Sequence, residues 1–264
     1  MMSFTADWLA LREPADAAAR DGDLLARAAR LCAGEAAPVI VDLGCGTGAT
    51  VRALGPLVPQ DACWRLVDND NRLLVAACAA AGERAEPYCR DLADIEALPL
   101  AGAHLVTASA LLDLVSGGWL ARLVGRLARA GTGFYAALSY DGLMEWMPPD
   151  PEDGEVIAAF NAHQATDKGL GPALGPAAGG AAAESFAAAG YTVETRRSPW
   201  RLEDGAGALR AELAAGVGRA AGEMGHAGAG DWVRRRRAGD AATRCIVGHL
   251  DMLATMPALH REAA

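Results

Sequence analysis

The stretch from Val39 to Gly48, VIVDLGCGTG, constrains this chain more than any other, because an apolar β-branched run breaks there into glycines spaced two apart. The run reads as a strand and the glycines as a tight turn. Gly44, Gly46 and Gly48 open backbone conformations that a Cβ would forbid, and they let a ligand approach the main chain at the carboxyl end of the strand. Ala49 to Leu54 then resume helical spacing. Strand, glycine turn and helix in that order form the first unit of a nucleotide-binding α/β sheet, whose ligands sit at the carboxyl edge.

Spacing separates three glycine-rich turns that could occupy this position. A phosphate-cradling GxxxxGK[ST] loop needs a lysine after its last glycine, and Ala49 stands there instead. The dinucleotide fingerprint is GxGxxG, whereas this chain reads GxGxG with Asp42 two residues before the first glycine. An acid there is a poor neighbour for a pyrophosphate and a good one for the ammonium of an amino-acid group. The stretch resembles the first motif of the class I S-adenosylmethionine-dependent methyltransferases, and the resemblance extends in order from about Val39 to Tyr140. It implies S-adenosyl-L-methionine as cofactor, methyl transfer as activity, and a glycine turn passing under the methionine part of the cofactor.

Further positions match that family in order. Trp64 to Val67 reads as a second strand ending in Asp68, Asn69 and Asp70, and Asp68 follows Gly48 by 20 residues. A carboxylate there can accept both ribose hydroxyls, and it matches the family's ribose-binding acid. Asp70 or Asn71 caps a helix from Arg72 to Ala81. Pro87 to Arg90 is a weak third strand followed by Asp91 and Leu92, where the resemblance implies contact with the adenine. His104 to Ala108 is a fourth strand, and Ser116 caps the helix carrying Trp119, Leu120, Leu123, Val124 and Leu127. Between them lies SALLDLVS, where the family places residues bordering the transferred methyl group; Asp113 faces either the acceptor or solvent. The expected cofactor residues are therefore Asp42, Gly44, Cys45, Gly46, Asp68, Asn69, Asp91, Leu92 and Ser109. The NPPY-like or DPPY-like tetrapeptide of the amino-methylating nucleic-acid enzymes does not occur.

A chain of 264 residues with a formal charge of −9 argues for one domain with additions and against a broad phosphate-backbone partner. The expected acceptor is a small molecule rather than nucleic acid. The six cysteines form no CxxC pair and mostly lie in apolar periodic segments, which suits buried free thiols in a reducing compartment. With no signal-type leader and no run of roughly 18 apolar residues, the expectation is a cytoplasmic protein without a membrane partner. The histidines at 104, 163, 226, 249 and 260 lack metal-ligand spacing, so no metal is expected.

The remaining segments complete the architecture. Residues 6 to 31 read as two helical pieces interrupted at Pro14, with Arg12, Asp16 and Arg20 as lid residues or surface charges. Gly133 to Ser139 is the fifth strand, with Tyr140 and Asp141 at its carboxyl end. Residues 141 to 180 hold five prolines and seven glycines around a short helical pattern, and an insertion of that length is usually functional or disordered. Ala181 to Ala189 is helical, Tyr191 to Leu202 is the sixth strand, and helices follow over 205 to 222 and 231 to 237, the latter ending in the run Arg234 to Arg237. Cys245 to Leu253 fits either helix or a late antiparallel strand, and the strand is favoured because the family's sheet requires one. The fold class is thus α/β: a Rossmann-like, mostly parallel seven-stranded sheet flanked by helices, with a lid inserted after strand five and C-terminal helical additions. One methyltransferase-like domain spans 1–264, divided into an N-terminal helical cover at 1–36, a cofactor-binding core at 37–140, a lid at 141–180 and the rest of the sheet at 181–264.

Acceptor chemistry converges on Tyr140, Asp141, His163, Gln164, Asp167 and Lys168, with Tyr140, His163 and Lys168 as the expected catalytic residues. If Ile157 to Thr166 is helical, Phe160, His163 and Gln164 share a face, which makes His163 a general base or an ordinary lid histidine. Of 24 basic residues only Lys168 is lysine, and keeping a compact ammonium there suggests contact with an anionic acceptor group or an internal pair with Asp153 or Asp167. Two other functions remain compatible with these residues: a dinucleotide-binding dehydrogenase, opposed by the GxGxG spacing, and a non-catalytic cofactor-binding protein acting through a partner. The oligomeric state is not encoded in any motif.

Overall fold

The computed structural model describes residues 4–238 and 243–257; His260 and residues 1–3 of the expected N-terminal cover lie outside the described residues. Eight strands occur among the described residues: β1 (Val39–Leu43), β2 (Cys63–Asp68), β3 (Ala85–Cys89), β4 (Leu105–Ser109), β5 (Gly133–Met147), β6 (Thr192–Arg197), β7 (Trp200–Leu202) and β8 (Arg244–Thr255). They form one sheet in the order β3-β2-β1-β4-β5-β8-β6, with β7 paired to β8 beside that path. The first five strands run parallel, and β8 is antiparallel to both β5 and β6. Pro87, which cannot donate to a ladder, sits in β3 at the sheet edge.

Period-2 alternation sends neighbouring strand residues to opposite faces. Ile40, Leu105 and Tyr135 enter one core with Trp64 and the helices α2 (Gly22–Arg30), α3 (Ala49–Leu54) and α4 (Asn71–Ala81). Val41, Val106 and Phe134 enter the other with α5 (Gly117–Ala130) and α7 (Ala178–Ala188). Ser116 accepts from the Trp119 amide and Asp70 from the Arg72 amide, so both expected caps form. Gly48 has φ +86 where it opens α3, and a Cβ there would meet the Ala77 Cα of α4 at 3.0 Å; only glycine lets turn and helix approach so closely.

Three expectations are corrected. Pro14 does not interrupt the first helix: α1 runs from Ala6 to Ala19 through it, and the break falls at Arg20 and Asp21. There the Asp21 amide donates to the buried carboxylate of Asp251 at 2.9 Å while the Asp21 side chain caps α2, so the polar partners, not the proline, set the corner. The sixth strand is two, because Ser198 turns inward and donates its hydroxyl to Asp251 at 2.6 Å; β6 and β7 then meet different parts of β8. The fifth strand does not stop at Ser139 but runs to Met147, so residues 141 to 147 of the expected lid are strand.

That long β5 pairs with the slightly shorter β8 through two register shifts, between Ala136 and Ser139 and between Tyr140 and Met144. The shifts contain Leu138 at φ +58 and Gly142 at φ +91, and bulges of this kind bend a ribbon away from the sheet plane. Beyond the bend, Met144, Trp146 and Val247 join Trp200 and the helices α6 (Asp153–Gln164), α8 (Gly207–Glu223) and α9 (Ala229–Arg237) in a third core. The insertion after strand five and the C-terminal helices are therefore one packed unit. The arginine run belongs to it: Arg235 pairs with Asp150 and Glu152, and Arg236 pairs with Asp153 and lies 5.2 Å over the Trp146 ring. Of that run only Arg236 is buried, while Arg235 makes its pairs at the exposed surface.

The six free cysteines divide evenly, with Cys32, Cys45 and Cys245 buried and Cys89 exposed. Among the described residues no helix is long and apolar enough to cross a membrane.

Candidate functional site

The glycine turn after β1 and the ends of β2 and β4 open into a cleft at the carboxyl edge of the sheet, lined by Gly44, Cys45, Gly46, Asp68, Asn69, Leu92 and Ser109. Asp68 is fixed by two backbone donors: the Gly46 amide to Oδ2 and the Asp70 amide to Oδ1, each at 3.0 Å. A carboxylate has about four acceptor positions, so two remain for hydroxyl donors of a ligand.

Two of the expected cofactor residues are placed elsewhere. Asp42 is 1% exposed and absent from the cleft lining; its Oδ1 accepts from the Thr107 hydroxyl at 2.7 Å and its Oδ2 has no partner. Burial raises its carboxyl to about 6, against the lowering effects of the Thr107 bond and the Arg20 charge. Period-2 alternation on β1 puts this side chain on the same sheet face as Ile40, beside its β4 neighbour Thr107. Asp91 is exposed, and its side chain accepts from the Ala93 amide at 2.9 Å, a local turn bond; Leu92 beside it lines the cleft.

The cleft wall that sequence reasoning left open comes from α1. Arg12 and Asp16, one helical turn apart, form a two-point ion pair at 2.8 and 3.0 Å and both line the cleft. Asp16 also accepts from the Trp200 indole at 2.9 Å, and Arg20 donates to Ser109 at 2.8 Å. All three are turned inward, and Asp16 and Arg20 are buried, so the surface-charge reading does not hold.

A second cavity of about 720 Å³ adjoins the cleft, and Phe4, Arg12, Ala110 and Leu114 line both. Its walls are largely aromatic and aliphatic: Trp8 from α1, Tyr140 and Met144 from β5, Phe160 from α6, Trp200 from β7, Leu213 and Val217 from α8. Ala110 at φ +48 and Leu138 at φ +58 form part of its boundary, and left-handed backbone outside glycine costs about 1 to 2 kcal/mol per residue. Such strain persists where the surroundings impose it; here the Leu138 amide donates to Asp251 at 2.8 Å and the Ala110 amide to the Ala137 carbonyl at 2.9 Å.

The three expected catalytic residues are brought together unequally. Tyr140 lines the cavity, donates its hydroxyl to Asn161 at 2.8 Å, and is held protonated by burial. His163 also lines it, but both ring nitrogens are engaged: Nδ1 faces the Lys168 ammonium at 3.1 Å and Nε2 faces Glu223 at 2.9 Å. Because an ammonium only donates, Nδ1 accepts and the ring proton sits on Nε2. Lys168 is buried and absent from the lining, with its remaining bonds to the His163 carbonyl and the Thr166 hydroxyl at 2.8 and 3.0 Å. Its ammonium is occupied within the segment, on a histidine rather than on the carboxylates of Asp153 or Asp167. Gln164 lines the cavity as its helical spacing predicted.

Two lining groups were not singled out as catalytic from sequence. Asp113 is 7% exposed, has an unpartnered buried Oδ1, and is raised to about 6 by burial despite the pull of Arg12. His249 is 5% exposed, with a buried unpartnered Nδ1, and is lowered to about 3 by burial and by the Arg12 charge. Among the described residues no grouping of His, Cys, Asp or Glu could hold a metal ion.

The sheet order, with the glycine turn and the acid closing β2, matches the open α/β fold of solved methyltransferase structures. Solved structures share it in particular. A cyclopropane-fatty-acyl-phospholipid synthase-like protein from Lactobacillus casei superposes with a TM-score of 0.54 at 15% identity, covering 96% of this chain and 95% of its own. The cyclopropane synthase MmaA2 from Mycobacterium tuberculosis gives 0.51 at 13% identity, again covering 96% and 95%. A candidate methyltransferase from Bacillus halodurans gives 0.52 at 14% identity, with 89% of this chain and all of that one covered. At such identities the likeness is one of fold. No family model matches the chain, and no curated protein sequence does.

Proposed function

We propose that this chain transfers a methyl group from S-adenosyl-L-methionine to a small-molecule acceptor at oxygen or nitrogen. The observation that carries the reading is the junction of a glycine-and-carboxylate cleft with a second, apolar cavity across a shared wall at Phe4, Arg12, Ala110 and Leu114. The cleft suits the cofactor: Asp68 keeps two acceptor positions for ribose hydroxyls, and Gly44 and Gly46, both at positive φ, keep the turn free of side chains. When bound, the cofactor supplies a sulfonium methyl group for in-line displacement. The chain's own part is to hold an acceptor across the junction, to take its proton and to exclude water, which the apolar walls favour. Residues 148 to 180, what remains of the expected lid beyond β5, serve as the lid of this reading, with Phe160, His163 and Gln164 of α6 lining the acceptor side.

Asp68→Ala is expected to weaken S-adenosylhomocysteine binding by about 1 to 3 kcal/mol in calorimetry, through loss of charge-assisted bonds. Unchanged affinity in a folded variant would remove Asp68 from the site. Amide hydrogen exchange in α6 is expected to slow when cofactor and acceptor are both present; identical protection with and without ligands would make the segment a static wall.

A further inference from the structure

We propose that Asp113 accepts the acceptor's proton and that the second cavity admits a neutral, bulky, apolar molecule presenting one hydroxyl, a hydroxylated aromatic being the simplest case. The inference rests on the methyl-transfer reading above and names its substrate class and its base.

Position is the first argument. Asp113 lies in the turn Leu112–Leu114 that follows β4, between Ala110 and Leu114, the two residues of that segment that line both cavities. A group there stands beside the junction across which a methyl would pass. Its Oδ1 is buried without a hydrogen-bond partner in the protein, so the folded chain leaves an acceptor atom open to a donor that enters the cavity.

Elimination is the second. His163 has both ring nitrogens engaged by Lys168 and Glu223, so a proton could enter only by breaking that arrangement. Tyr140 already carries its proton, donated to Asn161. His249 would become a buried cation near Arg12, whereas proton uptake by Asp113 removes a buried charge. Two orphaned groups therefore face one cavity, and only the carboxylate gains from protonation. His249 remains a neutral positioning group.

The lining fixes the substrate class. Arg12 is committed to Asp16 and Lys168 to His163, while the charged residues of α8 that line the cavity, Glu212, Arg219 and Glu223, are exposed. Among the described residues the buried part of the lining therefore offers no uncommitted cation to an anionic acceptor, Arg219 standing at the exposed rim, and its aromatic walls suit an apolar ring system. In the step itself, the acceptor oxygen forms a bond to the methyl carbon as the carbon–sulfur bond breaks. The bonding pair leaves on sulfur, giving the neutral thioether, and the hydroxyl proton passes to the Asp113 carboxylate and later to water.

The test uses 1-naphthol, 1-methoxynaphthalene and 1-naphthoate as probes, with quenching of tryptophan emission as the signal, since Trp8 and Trp200 line the cavity. Naphthol is expected to bind about tenfold more tightly than the other two, and Asp113→Ala to erase its advantage over methoxynaphthalene without changing S-adenosylhomocysteine affinity. Asp113→Asn keeps a hydrogen-bond acceptor but cannot take a proton, so it is expected to bind naphthol and methylate it about 100-fold more slowly than wild type. Tighter binding of naphthoate, a naphthol preference that survives Asp113→Ala, or no methylation of naphthol by a wild-type protein that binds both ligands would each overturn the proposal. Failure of wild type to bind S-adenosylhomocysteine would instead overturn the methyl-transfer reading, while the naphthol preference and its loss in Asp113→Ala would still report on the cavity.

Discussion

Asp251→Ala is expected to destabilise the protein by about 3 to 5 kcal/mol, read as a fall in the urea midpoint at unchanged slope. The Asp251 side chain is fully buried and accepts from the Leu138 amide at 2.8 Å, the Asp21 amide at 2.9 Å and the Ser198 hydroxyl at 2.6 Å, with the Tyr135 hydroxyl at 3.4 Å. Alanine would leave these donors buried and unpaired, and each orphan costs about 1 to 3 kcal/mol, partly offset by no longer burying a carboxylate. Burial raises the Asp251 carboxyl in spite of those bonds, so ionisation there is resisted. Asp251→Asn, which keeps one carbonyl acceptor and sheds the charge, is therefore expected to cost less than alanine. A loss below about 1 kcal/mol in the alanine variant would show that the donors find other partners. The same carboxylate holds Leu138 in its left-handed conformation and fixes the corner between α1 and α2, so the alanine variant should also loosen the acceptor cavity.

Asp113→Asn is expected to act in the opposite direction, stabilising the ligand-free protein at pH 7 by about 2 to 3 kcal/mol. The folded carboxyl is raised from 3.8 to about 6, so between those values the folded state holds more protons than the unfolded state. Stability from this group is full below the unfolded value and is lost as pH rises through the folded one. Asparagine resembles the protonated acid, so the variant's advantage should be near zero at about pH 4, grow through the next two units and level off near neutrality. Asp42, also raised to about 6, adds the same slope, and His249, lowered to about 3, adds the opposite one. Both are present in wild type and variant, and Arg12 and Tyr140 stand near Asp113 in each, so the difference between two urea titrations isolates Asp113. An advantage independent of pH would show that the carboxyl titrates near its ordinary value.

The cofactor half of the site was legible because local sequence encodes it: a strand, a turn of three glycines and an acid at the next strand's end lie within 30 residues, from Val39 to Asp68. Asp42 and Asp91 do not line the cleft, because side-chain facing on a strand or turn depends on register, which a motif leaves open. The acceptor half was harder. Its walls come from α1, β5, β7, β8, α6 and α8, which meet only after two bulges bend the β5–β8 ribbon. A usable signal did exist in Cys245 to Leu253: read as strand, it puts His249 and Asp251 two apart on one side of an otherwise apolar element. One of them lines the cavity and the other braces its boundary. From sequence the lone lysine reads as contacting an anionic acceptor group or pairing with Asp153 or Asp167; its ammonium instead meets a histidine five residues earlier, a pairing that depends on how the chain turns after α6.

The first helix stands between two cavities. Phe4 and Arg12 touch both cavities, and Arg12 is tied through Asp16 to Trp200 on the acceptor side, so neither space can be filled or emptied without the same few side chains responding. A partition of this kind makes the two bindings thermodynamically linked: whatever factor one ligand imposes on the affinity for the other is returned in equal measure. On the proposed reading, residues 4 to 20 would then act as a two-way gauge, reporting to each cavity whether the other is occupied, in a chain segment that precedes the glycine turn altogether.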